Sequence, residues 1–97
     1  MKKAAEVRFN KYLGIVVKEA REKSDLTMAG LGEKIGVSKI TIYNIEMGKQ
    51  AIRFHHLIGL SRELNIDINS LVKVYDVAKK RQKVSDVYNM VASFTNS

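Results

Sequence analysis

Leu26-Thr27-Met28-Ala29-Gly30-Leu31-Gly32-Glu33-Lys34-Ile35-Gly36-Val37-Ser38-Lys39-Ile40-Thr41-Ile42-Tyr43-Asn44-Ile45-Glu46-Met47-Gly48-Lys49 reads as two short helices folded tightly about Gly36. Thr27 is a good N-cap for the first of them, and Gly36 suits the left-handed position that ends it. Ser38 caps the second helix and Gly48 closes it. At helical spacing Ile42 and Ile45, with Val37 ahead of the cap, turn inward, which leaves Lys39, Ile40, Tyr43, Asn44 and Met47 on the outside.

Working outward, Phe9, Leu13, Val16, Val17 and Ala20 recur at three- and four-residue steps and predict a helix from about Ala4 to Lys23, broken by Ser24-Asp25. Leu57, Ile58, Leu60 and Leu64 predict a helix over Phe54 to Leu64, in which Gly59 allows close packing. Asp67 is placed to cap a fifth helix, so that Ile66, Ile68 and Leu71 close the bottom of the core. No strand pattern is present, and the fold class is all-α.

Past Leu71 the apolar residues Val74, Val77, Val84, Tyr88 and Val91 form a seam, interrupted at Arg81. It fits one long helix, or two helices broken near Lys83 with Ser85 as an N-cap. These spacings divide the chain into a domain over residues 1–72 and a helical extension over 73–97. The seam packs either on its own domain or on a second subunit, and we read it as a dimerisation element.

At 97 residues the chain is one domain that buries roughly 60 to 70% of its unfolded surface, too small for a large catalytic cleft. With 45% apolar residues, 28% charged residues and no proline, its composition is that of a folded, helix-rich protein. Without cysteine it has neither disulfides nor thiolate metal sites. Met1-Lys2-Lys3 is basic, but the run Leu13 to Val17 is short, contains Gly14 and stops at Lys18, so neither a signal peptide nor a membrane span fits. A cytoplasmic location is expected. The net charge of +7 points to a polyanionic partner, either nucleic acid or an anionic surface. It is spread along the chain with one dense cluster, Lys79-Lys80-Arg81-Gln82-Lys83.

From Leu13 to Leu71 the chain resembles the Cro and phage-repressor type of helix-turn-helix regulator, a bundle of five short helices similar to the lambda-repressor domain. The markers are Arg21-Glu22, Leu26-Thr27, Leu31, Ile35-Gly36-Val37-Ser38, Thr41-Ile42, Ile45-Glu46, Gly48-Lys49, Leu57, Leu64, Ile66 and Leu71. Family members usually carry alanine where Gly32 stands, often glutamine where Met28 stands, and frequently proline soon after the Gly-Lys pair. Gly32 still meets the need for a small residue between crossing helices, whereas a thioether at Met28 can pack but not bond.

The resemblance implies a double-stranded DNA partner, with the second helix of the pair in the major groove. Lys39 then donates to guanine O6 or N7 or to a phosphate, Ile40 touches a thymine methyl, and Asn44 reads adenine N6 and N7. Tyr43 is better suited to a phosphate. The hydroxyls of Thr27 and Ser38 cap their helices, with the free amides there facing phosphate. Lys49, Gln50 and Arg53 lie in a loop that runs along the sugar-phosphate backbone in relatives, positioning without specifying. Glu46 is acidic on a helix expected to meet DNA, and the resemblance pairs it with Arg21 as a structural ion pair.

His55 and His56 are adjacent, so on a helix they point about 100° apart and share no metal as residues four apart would. No catalytic set or phosphate-cradling glycine loop is visible, so neither an enzyme nor a cofactor is expected. The same module serves repressors, antitoxins and restriction-modification controllers. A reading from another class is an adaptor whose terminal helix binds a protein while the DNA face is idle. Of these, a dimeric repressor of phage or mobile-element type on a palindromic operator is the expectation.

Overall fold

The computed structural model describes residues 4–80 and 83–94, the side chains of 91–94 excepted. Among the described residues there are six α-helices and no β-strand: α1 (Ala4–Lys23), α2 (Met28–Ile35), α3 (Lys39–Glu46), α4 (Phe54–Glu63), α5 (Ile68–Lys79) and α6 (Val84–Phe94). The long α1 is the hub, with α3, α5 and α6 packed around it, while α2 packs on α3 and α4.

One core joins all six. Leu13, Val16 and Val17 of α1, Leu31 of α2, Ile42 and Ile45 of α3, Leu60 of α4, Val74 of α5 and Val87 of α6 are buried together. Burying each such aliphatic side chain contributes about 1.5 to 3 kcal/mol. Across α1 and α5, Phe9 meets Tyr75 edge to face with centroids 5.5 Å apart, and Arg8 Nε donates to the Ala78 carbonyl at 2.6 Å.

The turns follow from residue chemistry. Gly36 ends α2 at φ 81°, a left-handed conformation that costs a side-chain-bearing residue about 1 kcal/mol or more. Asp67 caps α5 by accepting from the Asn69 amide at 3.1 Å. Gly59 faces Ile35 of α2, so its missing side chain lets those helices meet.

Three sequence expectations are corrected. Ile68 does not close the core; it sits in the first turn of α5 on the solvent side, 44% exposed. The boundary at 72/73 falls inside α5, whose Leu71, Val74, Val77 and Ala78 enter one core, so the chain does not divide there. α6 starts at Val84 rather than after Ser85. The Asp86 carboxylate accepts from the Lys83 amide at 3.2 Å, half of a capping box, and that bond fixes the start.

The seam is also redistributed. Val74 and Val77 are consumed by the chain's own core and have no surface to offer a second subunit. On α6 the inward row is Val84, Val87 and Met90, with Val87 only 1% exposed, while Tyr88 points out at 51%. The side chain of Val91, together with Arg81 and Gln82, lies outside the described residues.

Candidate nucleic-acid interface

α2 and α3 form a tight corner because nothing larger than hydrogen fits where they cross. A Cβ on Gly32 would come within 2.6 Å of the Val37 carbonyl oxygen. The Thr27 hydroxyl caps α2 by accepting from the Gly30 amide at 2.9 Å. The Ser38 hydroxyl caps α3 by accepting from the Thr41 amide at 3.1 Å, and lies 3.0 Å from the Thr41 hydroxyl. Each cap satisfies one of the free amides of its first turn, and the remaining amides face outward with the positive end of the helix dipole. Met28 opens α2 and is half-buried against the core, as a packing residue.

α3 is divided sharply between two faces. Ile42 and Ile45 are 0% and 1% exposed, whereas Ile40 is 70%, Met47 52% and Tyr43 40% exposed. Lys39 is exposed beside Ile40, and Asn44, one turn later, is half-exposed. The helix therefore presents an ammonium, a branched aliphatic side chain and a carboxamide in one row. Those groups match a guanine edge, a thymine methyl and an adenine edge.

Behind that row α3 is pinned to α1 by a buried ion pair. Arg21 Nε donates to Glu46 Oε2 at 2.6 Å and Arg21 Nη2 to Glu46 Oε1 at 3.1 Å, a two-pronged contact, and Arg21 Nη1 donates to the Leu26 carbonyl at 2.8 Å. The side chains are 10% and 1% exposed. The hydrogen bond to Glu46 holds the Arg21 guanidinium above its usual range, against the opposing effect of burial. Glu46 is thus spent inside the bundle and leaves the outer row free of negative charge. The Leu26 contact, which ties the α1–α2 turn into the same pair, has no signal in the sequence because a carbonyl belongs to every residue.

A second feature sequence reasoning missed is Gly14. A Cβ there would fall on the carbonyl oxygens of Ile45 and Glu46, so α1 and the end of α3 meet backbone to backbone. The sequence carries one signal of it, a glycine inside an otherwise regular amphipathic helix, where it costs about 1 kcal/mol against alanine.

After α3 the chain turns at Gly48, φ 70°, into the loop of Lys49, Gln50 and Arg53. Lys49 Nζ stands 5.0 Å from the centre of the Tyr43 ring, a cation–π contact that holds both beside the outer row. Lys49 and Arg53 are exposed and Gln50 half-buried. Arg53 stands in the N-cap position of α4 without a side-chain cap bond, so its guanidinium is not used there. Thr27, Ser38, Lys39, Ile40, Tyr43, Asn44, Lys49 and Arg53 are thereby set along the α2–α3 corner and the loop that follows it.

The two histidines do not diverge as the helical spacing of adjacent residues predicts. Their rings are 4.1 Å apart, and burial, then His55 and Arg53, lower the His56 pKa. Among the described residues no group of three or more His, Cys, Asp or Glu is placed to hold a metal, and no helix is long and apolar enough to cross a membrane.

Comparison with curated proteins finds no match. The helix-turn-helix family profile matches residues 17–71, which contain the Arg21–Glu46 pair, both caps and all of α2, α3 and α4. The match covers more than half of the chain, and the chain belongs to the Cro/repressor-type helix-turn-helix family of DNA-binding regulators.

Proposed function

We propose that this protein is a sequence-specific transcriptional repressor of phage or mobile-element type, cytoplasmic, that binds a two-fold symmetric operator as a dimer. The observation that carries this is the outer row of α3, Lys39, Ile40 and Asn44, free of acid because Glu46 is turned inward onto Arg21. With that row in the major groove, Lys39, Ile40 and Asn44 read base edges. Thr27, Ser38, Tyr43, Lys49, Gln50 and Arg53 set the register on phosphates. Two copies place two reading helices in successive major grooves, about 34 to 36 Å apart, and occlude the site.

Since Val74 and Val77 are interior, a second subunit has to use other apolar surface. Ile68, Val72 and Tyr75 lie one turn apart on α5 and are 44%, 58% and 42% exposed, with Tyr88 on α6 also free. The test is selection from a random duplex pool followed by sequencing of the bound fraction. A palindromic motif with half-sites one helical turn apart is the expected result. An enriched but asymmetric motif would remove the dimer. An unenriched pool would favour an adaptor, for which exposed Ile40 and Met47 are the supporting residues.

A further inference from the structure

Four lysines from three segments of the chain border the end of α3, and two of them, Lys11 and Lys83, lie outside the 17–71 segment that the family profile covers. One turn before the Gly14 crossing, α1 runs directly against the turn after α3. A Cβ on Gly48 would come within 2.7 Å of Lys11 Cα, so exposed Lys11 stands beside the start of the Lys49 loop. α6 closes on the same place. Val84 and Tyr88 line one groove with Lys11, Lys18 and Met47, and exposed Lys83 is the residue before Val84, its amide fixed by Asp86.

The charge balance there favours an anion. Glu46 faces the groove but is neutralised by Arg21, and Glu19 is half-buried in the groove wall. Asp86 bonds the Lys83 amide, which leaves Lys11, Lys18, Lys49 and Lys83 against two carboxylates. Four ammonium groups on flexible stems beside a helix that enters a groove suit phosphates, which accept a point charge from many directions. None of the four stands in the outer row of α3 that carries the base-reading groups.

Building on the docking of α3 described above, we propose that this border is a second DNA-backbone contact. Lys11 and Lys83 grip phosphates next to those reached by the α3–α4 loop. The first half of α1 and the start of α6 therefore lengthen the footprint beyond the helix-turn-helix unit. The contact adds affinity without sequence preference.

The test compares the full chain with a Lys11→Gln/Lys83→Gln variant, measuring log affinity against log salt between about 50 and 200 mM on both the selected duplex and random duplex. Neutralising two fewer phosphates lowers the slope by about 1.8 on both, at about 0.9 per phosphate, with the selected motif unchanged. In ethylation interference, the flanking phosphates alone should cease to matter. A charge-matched variant, Arg62→Gln/Lys73→Gln, is expected to keep the parent slope. An unchanged slope in the first variant, or an equal drop in the second, would overturn the proposal. If the parent binds every duplex alike, the regulator reading fails while the slope on random duplex still tests this border. A parent that binds no duplex overturns both.

Discussion

α3 and α6 are both short helices laid on α1, but they are held by different kinds of contact. Besides two buried isoleucines, α3 is pinned by directional ones: the Arg21–Glu46 pair and a backbone-to-backbone crossing at Gly14. α6 is held by apolar packing centred on Val87, with Val84 and Met90 half-buried at its sides. Hydrogen bonds and close backbone contact fix a helix in rotation as well as in depth, whereas aliphatic packing is non-directional. The helix that must present one row of side chains to a base-pair edge is the one with directional pins.

The largest expected effect follows from breaking the pin. Glu46→Ala leaves the Arg21 guanidinium buried without its partner and should destabilise the fold by about 3 to 5 kcal/mol, read from urea unfolding. A cost near zero would mean that α3 is held by its isoleucines and the Gly14 crossing without the ion pair. Val87→Ala removes the centre of the α6 packing and should cost about 1.5 to 3 kcal/mol, with duplex preference intact. A changed preference would place α6 among the elements that orient α3.

Smaller effects sharpen the contrast. Ser38→Ala should cost about 1 kcal/mol by thermal or urea unfolding, since it removes the cap of α3. Tyr88→Ala, half-exposed on α6, should change monomer stability by no more than about 0.5 kcal/mol. If sizing shows the parent as a dimer and Tyr88→Ala as a monomer, the outer face of α6 is part of the subunit interface.

The same contrast governs what the sequence disclosed. The end of α1, both ends of α2 and the start of α3 were legible because they are marked by Ser24-Asp25, Thr27, Gly36 and Ser38, each with its own turn or cap chemistry. The inward and outward faces of α3 were legible from the spacing of Ile42 and Ile45. The α5–α6 region was not. Val74, Val77, Val84 and Tyr88 keep a regular three-four step, yet α5 ends at Lys79 and a separate helix, α6, starts at Val84 with its own phase, so Val87 rather than Tyr88 turns inward. Periodicity carried across a break measures nothing. Ile68 failed for a related reason: an apolar residue in a helix's first turn is not thereby on its buried face.

At the candidate site the pairing of Glu46 came from resemblance, whereas its geometry needed coordinates. The approach of Lys11 to Gly48 joins residues far apart in the chain, and no local pattern encodes it. The role of Gly14 was encoded but unread, because a glycine within a helix looks like a tolerated cost until the partner backbone is known.

The row on α3 is tested most directly by replacing Lys39, Ile40 and Asn44 together with alanine and measuring the ratio of affinities for selected and random duplex at one salt concentration. All three lie at the outer face, so the variant should unfold at about the parent's denaturant midpoint. Removing each base-reading side chain should lower the ratio by the equivalent of about 1 to 3 kcal/mol, bringing the two affinities close together. A folded triple variant that kept the parent's ratio would contradict base reading by this helix.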